Sequence, residues 1–441
     1  MPASERELAV AVYHRSTVQG KLNVLYVTGC ECPKDEKDMR DAFNSGADLD
    51  VVRHLAGFSE LAEKKHNAYD ALVVNKLLIS DQIVNEPQKL DVLVTAALKA
   101  LKLGGVFVIR EDLSSFTAHK ISQLTDYFDV YRVNEDGKNI GFDFYAMNQV
   151  KAAIFAQQNF LDVYWVFTKK EFPGQYEANL VTFRDFLDKT QYTDNGITAY
   201  EWVFGDNFIS PGGAPENFKF LKRFSNLKTG QTMLDIGVGI GGGARQAAQE
   251  FGLHVVGCDL SSNMLSYAFD RNQKDKDCRV AYSITDIVVY DYPEGSFDYV
   301  YSRDCIHHIV EADKLFERIY KCLKPGGELV ISCYARGQNE FQPKFAEYVK
   351  QRHYYLKTLD EYKQLCEKVG FVDVKTENLT HRFEEILDEE REKVENNKEE
   401  FIGKFDQRTY DRLVEGWKDK VQYIADDNHN WVVFQAVKPQ H

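Results

Sequence analysis

The sequence predicts an α/β protein in which one fold occurs twice in tandem, the first copy degenerate. Strand-like and helix-like stretches alternate along most of the chain, the pattern of helices layered on a largely parallel sheet. The second observation is an echo. YDALVV (69–74) followed by LKALKLGGVFVIRED (98–112) returns as FDYVYSRD (297–304) followed by IYKCLKPGGELVISC (319–333). Each series reads as an aspartate entering an apolar strand, a helix, a Gly-Gly turn and a second apolar strand; the ordered pair points to duplication. The third is length, because 441 residues exceed one ordinary core and suggest two domains.

Composition narrows the partners. There are 54 basic and 68 acidic residues, a formal net charge of −14, and no Lys/Arg cluster large enough to offset it locally. Such a surface repels a phosphate backbone, so no nucleic acid partner is expected, while a pocket for a small anion stays open. The eight cysteines include no CxxC pair and no metal-ligand spacing with His, so no metal is expected. MPASERELAVAVYHRS carries two Glu before its short apolar stretch, unlike a signal peptide. No apolar run approaches the ~20 residues needed to cross a bilayer. The expectation is a cytoplasmic monomer with no membrane partner.

The halves differ where chemistry would occur. LNVLYVTG (22–29) has one glycine and no acid at its end, whereas the matching place later reads MLDIGVGIGGG (233–243). Asp48 and Asp50 stand roughly where a second acid might be, but SGADLD lacks the apolar strand to present one. Residues 1–165 are therefore expected to be a degenerate copy without a cofactor, an unrelated α/β domain being the alternative. Residues 166–185 read as a linker, punctuated by Pro-Gly in EFPGQYEANL (171–180). Residues 186–441 read as the catalytic domain.

Asp235 ends a strand, and Gly237, Gly239, Gly241, Gly242 and Gly243 follow before a helix over about 244–251. Glycines there permit positive φ and close approach of backbone to a ligand, beside the unpaired N–H groups of a helix start. Alone this also spells the GxGxxG of dinucleotide binding. The order of the downstream motifs decides between the two. LHVVGCDLS (253–261) ends a strand in Asp259, placed for two ribose hydroxyls. ITDIVVYDYP (284–293) puts Asp286 and Ile287 at a third strand's end, suited to an exocyclic amine and a base face. FDYVYSRD and LKPGGELVIS complete the series.

In this order and spacing the motifs resemble the class I methyltransferase family. That resemblance implies two Rossmann-like domains, S-adenosylmethionine as cofactor and S-adenosylhomocysteine as product. The cofactor contacts would be Asp235, Gly237, Gly239, Asp259, Leu260, Asp286 and Ile287.

Three further segments lie outside the bare fold: QYTDNGITAYEWVFGDNFISPGG (191–213), SRDCIHHIV (302–310), and YVKQRHYYL (348–356) with GWKDK (416–420). Ligands of open α/β sheets gather beyond the carboxyl ends of strands, so Asp304 and His308 fall near the transfer point. These segments look like the phosphobase N-methyltransferases, which convert phosphoethanolamine stepwise to phosphocholine for phosphatidylcholine biosynthesis. The layout, with an intact second copy only, is similar to a nematode two-domain form of that family. The resemblance implies Tyr192 and His308 as catalytic pair. It implies a substrate pocket of Gln191, Tyr200, Asp304, Tyr334, Tyr348, Arg352, Tyr354 and Lys420. Ile209, Ser210 and Arg303 would lie beside the cofactor. The acceptors implied are phospho-monomethylethanolamine and phospho-dimethylethanolamine.

The chemistry is consistent with these roles. An alkylammonium must lose a proton before its nitrogen attacks a methylsulfonium, so a base titrating near neutrality helps, and His308 fits. Asp304 can hold the cationic nitrogen, and tyrosine rings favour a quaternary ammonium. Arg352 and Lys420 can pair with phosphate. His307 reads as a helix histidine, and EEILDEEREKVENNKEE (384–400) as a charged surface helix. Two rivals remain: a methyltransferase for another small acceptor, of sterol or quinone type, and a non-catalytic cofactor-binding protein.

Overall fold

The apolar runs of both halves form strands. They are β1 (Leu22–Thr28), β2 (Ala47–Arg53), β3 (Tyr69–Asn75), β4 (Leu101–Asp112), β5 (Arg132–Glu135), β6 (Lys138–Gln149) and β7 (Asp162–Phe172). Then come β8 (Thr232–Ile236), β9 (His254–Asp259), β10 (Val280–Thr285), β11 (Phe297–Arg303), β12 (Leu323–Ala335), β13 (Val372–Asn378) and β14 (Asn430–Val437). The helices that carry site residues are α1 (Asp194–Phe204), α2 (Gly213–Leu221), α3 (Gly242–Phe251), α4 (Pro343–Arg352), α5 (Thr380–Asn396) and α6 (Gln407–Ala425). The structure, a computed structural model, describes residues 3–174 and 182–440. It divides into two units, 1–188 with 269–285 and 189–268 with 286–441.

In the first unit the strands run in the order β2-β1-β3-β4-β7-β6-β10. The pairs among β1 to β4 are parallel, and β7, β6 and β10 are antiparallel to their neighbours. In the second the order is β9-β8-β11-β12-β14-β13, parallel except where β14 runs against β12 and β13. Both are doubly wound sheets whose apolar strands are covered by helices.

The duplication extends to single hydrogen bonds. Asp70, entering β3, accepts from the Asn23 N–H at 2.8 Å and pairs with Lys102 at 2.7 Å. Asp298, entering β11, accepts from the Thr232 N–H at 2.9 Å and pairs with Lys324 at 2.8 Å. The aspartate thus clasps the first strand and the start of the next strand in the chain. In each copy the second glycine of the Gly-Gly turn is required by close approach. A Cβ on Gly105 would lie 2.8 Å from the Lys102 carbonyl oxygen, and one on Gly327 2.9 Å from that of Lys324. Beyond β3 and β11, Lys76 and Asp304 are both left-handed at φ 55. Their N–H groups donate to Arg110 and Ser332 carbonyls, each at 2.9 Å.

This frame places Tyr26 opposite Val73 in the first copy as Asp235 stands opposite Tyr301 in the second. Tyr26 is fully buried, and its phenol oxygen accepts from the Asn75 amide at 2.8 Å. A ring therefore fills the place that holds a carboxylate in the second copy. β2 ends in Arg53 where β9 ends in Asp259.

Three expectations need correction. The polar run 45–50 does contain a strand: Ala47–Arg53 pairs with β1 along its whole length. Hydropathy misses it because β2 is an edge strand, with Asp48 and Asp50 turned to solvent against Lys21 and Lys65. The linker reading of 166–185 is too long, since β7 runs to Phe172 and Thr182 caps a helical turn; residues 175–181 of it lie outside the described residues. The charged run 384–400 is not all surface, because α5 buries Phe383, Ile386, Leu387, Glu390 and Val394 on one face.

Gly327→Ala should lower stability by about 1–3 kcal/mol, because its Cβ meets backbone that cannot yield. Gly416→Ala, within α6 and open around its Cβ, should raise it by about 0.5–1 kcal/mol. Denaturant unfolding of both variants checks this; equal effects would refute the close-approach argument.

Candidate functional site

β8 delivers Asp235 to the carboxyl edge of the second sheet, and the chain leaves it through Gly237 at φ 74. A Cβ there would lie 2.3 Å from the Cys305 side chain, so glycine is required by backbone and space alike. The N–H groups of Gly237 and Val238 donate to the Cys258 carbonyl at 2.8 and 3.1 Å, binding the loop to the end of β9. Asp259 completes the tie. Its carboxylate accepts from the Gly239 N–H and the Ser261 N–H, both at 2.9 Å. Leu260 comes directly after it. Asp286, one residue past β10, accepts from the Val288 N–H at 2.8 Å, with Ile287 buried beside it. Ile209 reaches in from the other side, its Cδ1 3.3 Å from the Cβ position of Gly239.

Asp235 is buried, which pushes its carboxyl up to about 7; the Asp259 charge adds to this and Arg303 opposes it. A buried carboxylate so perturbed, beside a glycine loop, fits the ammonium of an amino-acid moiety. The acids ending β9 and following β10 fit a nucleoside. The set suits S-adenosylmethionine.

Arg303 ends β11 and Asp304 follows it, with the Arg303 Nε 3.8 Å from Asp304 Oδ2. The Arg303 guanidinium donates to the Gly213 carbonyl at 3.0 Å and to that of Pro211, holding the segment that carries Ile209 and Ser210. The left-handed Asp304 accepts from Ser332 Oγ at 3.1 Å and Trp431 Nε1 at 2.7 Å through Oδ1. Its Oδ2 is buried with no hydrogen-bond partner. Burial pushes the Asp304 carboxyl up, against Arg303, Trp431 and Ser332.

The chain then turns through a short helix, Ile306–His308, beneath a cluster of rings. His308 lies 4.9 Å from the ring of Tyr354, and Tyr354 lies 5.9 Å from Tyr334 and 5.7 Å from Tyr348. The Arg352 guanidinium stands 5.6 Å over the Tyr348 ring. Gln191 donates to the Arg352 carbonyl at 3.4 Å. Burial pushes the Tyr200 phenol up, but Arg352 and Lys420 together bring it below its ordinary value. The cations from α4 and α6 therefore converge on Tyr200 of α1, a cradle for an anion.

His308 differs from expectation. Burial, then the Arg352 charge, pushes it down to about 4, so the ring is neutral at pH 7. Its Nδ1 is buried without a hydrogen-bond partner. Tyr192 packs with Ile197, Ile240 and Met264 and holds Asn263 through its carbonyl at 3.0 Å. Among the described residues no hydrogen bond joins its phenol to His308. His307 is the more buried histidine, accepting from the Tyr334 N–H through Nδ1 at 3.3 Å.

Three residues escape sequence reasoning. His429 lies 4.7 Å from Tyr334 with neither ring nitrogen hydrogen-bonded. Trp431 holds Asp304, and Glu390 is buried in α5. None belongs to a motif, and only the pairing of β14 beside β12 brings the first two in. No helix among the described residues is long and apolar enough to cross a membrane. Among those residues no group of three or more His, Cys, Asp or Glu could hold a metal.

Comparison with known proteins gives the family. Residues 2–173 match the family model "Phosphoethanolamine N-methyltransferase 2 N-terminal", and residues 234–331 match "Methyltransferase domain". The chain is 54% identical to phosphoethanolamine N-methyltransferase 2 of Caenorhabditis elegans, over 84% of each chain. It is 35% identical to the Plasmodium falciparum phosphoethanolamine N-methyltransferase, over 59% of this chain and 98% of that one. Its structure is similar to that of Haemonchus contortus phosphoethanolamine N-methyltransferase 2 in complex with phosphomonomethylethanolamine and S-adenosylhomocysteine. That match has a TM-score of 0.93 and 50% identity, covering 100% of both chains.

The buried histidines set an acid limit. His429 is pushed from 6.5 down to about 3 by burial and the Lys420 charge, so its stability contribution is present above pH 6.5 and lost as pH falls toward 3. Asp235 and Glu390, raised to about 7, work oppositely: their contribution is present at low pH and lost as pH rises through 7. His429→Phe should therefore flatten the acid limb, retaining about 2–3 kcal/mol more than the parent between pH 6.5 and 4. Melting temperature against pH measures it; parallel curves would refute it.

Proposed function

We propose, because the chain belongs to the phosphoethanolamine N-methyltransferase family, that it methylates the nitrogen of phospho-monomethylethanolamine and phospho-dimethylethanolamine, yielding phosphocholine for phosphatidylcholine biosynthesis. It is an S-adenosylmethionine-dependent enzyme of two class I methyltransferase domains, the first degenerate. The observation that carries the acceptor reading is the convergence of Arg352 and Lys420 on Tyr200, beside an aromatic cluster and a buried acid. One molecule that is anionic at one end and cationic at the other suits both parts.

Bound S-adenosylmethionine supplies an electrophilic methyl on a sulfonium. The chain's own residues do the rest. Asp235, Gly237, Gly239, Asp259, Leu260, Asp286 and Ile287 hold the cofactor, with Ile209, Ser210 and Arg303 along its side. Arg352 and Lys420 take the phosphate, lined by Gln191 and Tyr200. Asp304 Oδ2 faces the acceptor's ammonium charge, and Tyr334, Tyr348 and Tyr354 present ring faces to its methyl groups. His308, neutral at pH 7, takes the proton at a ring nitrogen, and Tyr192 covers the transfer point. Arg352 also lowers the basicity of His308. A phosphate paired with Arg352 offsets that charge, so a bound acceptor raises the basicity of the group that must deprotonate it.

Catalysis belongs to the second copy. Tyr26 and Arg53, standing where Asp235 and Asp259 stand, support a first copy that holds no cofactor. Residues 1–188 with 269–285 hold that vestigial copy, and residues 189–268 with 286–441 the catalytic one. The enzyme works as a cytoplasmic monomer without nucleic acid or membrane partners.

Methyl transfer from labelled S-adenosylmethionine to a panel of acceptors tests the substrate. Label should enter both methylated phosphobases; transfer confined to a sterol or quinone would end the proposal. His308→Ala should lower kcat by ~10²–10⁴, with part of the loss recovered as rising pH frees the amine. His307→Ala should leave kcat per folded molecule within a few-fold while lowering the melting temperature. Full turnover by His308→Ala at pH 7 would remove it as the base.

A further inference from the structure

α5 is a heavily charged helix, yet it turns one carboxylate inward. Glu390 is 7% exposed. Its Oε1 accepts from the Gly212 N–H at 2.8 Å, and its Oε2 is buried with no hydrogen-bond partner. Burial of an ionisable group is costly unless its surroundings return the free energy. Lys420 and Arg303 both favour its ionised form and Glu389 opposes it; burial outweighs them and pushes the carboxyl up to about 7.

Gly212 is the middle of three successive residues fixed by charged groups. Arg303 holds the carbonyls of Pro211 and Gly213 from the end of β11, and Glu390 holds the intervening N–H from α5. A cation on the carbonyls and an anion on the N–H match the polarity of each peptide group. Gly212 itself is left-handed, at φ 76, so the segment bends sharply where it is held. The bend aims Ile209 at the Gly239 loop, its Cδ1 3.3 Å from the Cβ position of that glycine. Arg303 and Glu390 cooperate, since each lies in the other's favourable field.

We propose that Glu390 is a positioning residue for methyl transfer: through Gly212 it fixes the 209–213 segment against the glycine loop, so that cofactor affinity depends on a hydrogen bond made from α5. Glu390 does not touch the reacting atoms. It acts through the segment's backbone, and what it supplies is an acceptor oxygen at one point in space. The proposal rests on the cofactor reading of the Asp235–Asp259 loop.

The test uses the full chain, with S-adenosylhomocysteine as the probe in calorimetry. Glu390→Ala removes the oxygen and should weaken binding about tenfold or more, the range for a lost hydrogen bond to a charged group. Glu390→Asp withdraws the oxygen by one methylene and should behave like the alanine variant, while being less exposed to failure in folding. Glu390→Gln keeps an acceptor oxygen and should bind within about threefold of the parent. A merely structural role would lower the melting temperature of all three without rescue of affinity by Gln. Parent-like affinity in Glu390→Ala or Glu390→Asp overturns the proposal, as does Glu390→Gln binding as weakly as Glu390→Ala. Asp259→Ala is the reference. Were it to bind like the parent, the cofactor reading itself would fall; were it to lose binding while Glu390→Ala keeps it, only the Glu390 inference would.

Discussion

The left-handed bend at Asp304 is the constraint on which the second unit's site depends. A non-glycine residue in that conformation costs about 1–2 kcal/mol, and here local bonds offset it. The Asp304 N–H donates to Ser332, and its carboxylate receives Ser332 and Trp431. Because β11 ends in this bend, Arg303 holds the 209–213 segment while the next turn carries His307 and His308 to the ring cluster. Two consecutive residues thereby join the cofactor loop to the ring cluster. A one-residue slip would send both side chains to the wrong faces.

Burial then sets the electrostatics. Asp235, Asp304 and Glu390 are pushed toward protonation, and His307, His308 and His429 toward neutrality. Each shift moves its group away from charge, as expected where the surroundings solvate ions poorly. Tyr200 goes the other way, drawn toward its charged form by Arg352 and Lys420, and so does Arg352. Tyr348, Tyr200 and Tyr354 outweigh its desolvation and hold it firmly cationic. A pocket of neutral bases and buried carboxyls, with Arg352 and Lys420 beside them, is poised for a zwitterion rather than for an apolar acceptor. Its polar atoms gain most when the anion and the ammonium arrive together.

The first unit shows how little separates a scaffold from a site. Its Asp70–Lys102 clasp, Gly-Gly turn and left-handed Lys76 repeat the second unit almost bond for bond. Among the differences are three residues at corresponding strand ends: Tyr26 for Asp235, Arg53 for Asp259, Lys76 for Asp304. The clasp lies at the opposite ends of the strands from these residues and is kept in both units. Fold and function occupy different edges of one sheet.

The duplication, the glycine loop and the acids at the ends of β8 and β9 and after β10 were legible in the sequence because each is local: an apolar run, a turn glycine, a carboxylate at a fixed distance from both. Resemblance supplied the acceptor residues from 191 to 420, which no local pattern unites. The β2 strand stayed hidden because an edge strand need not be apolar, and α5 because charged residues dominate a helix whose buried face is a minority. Only the tertiary structure decided that His429 and Trp431, lying next to β12 through β14, reach the site, that Glu390 turns inward, and that His308 is neutral at pH 7. Those outcomes depend on the surroundings of a side chain in space, and a linear sequence carries that only through the whole fold.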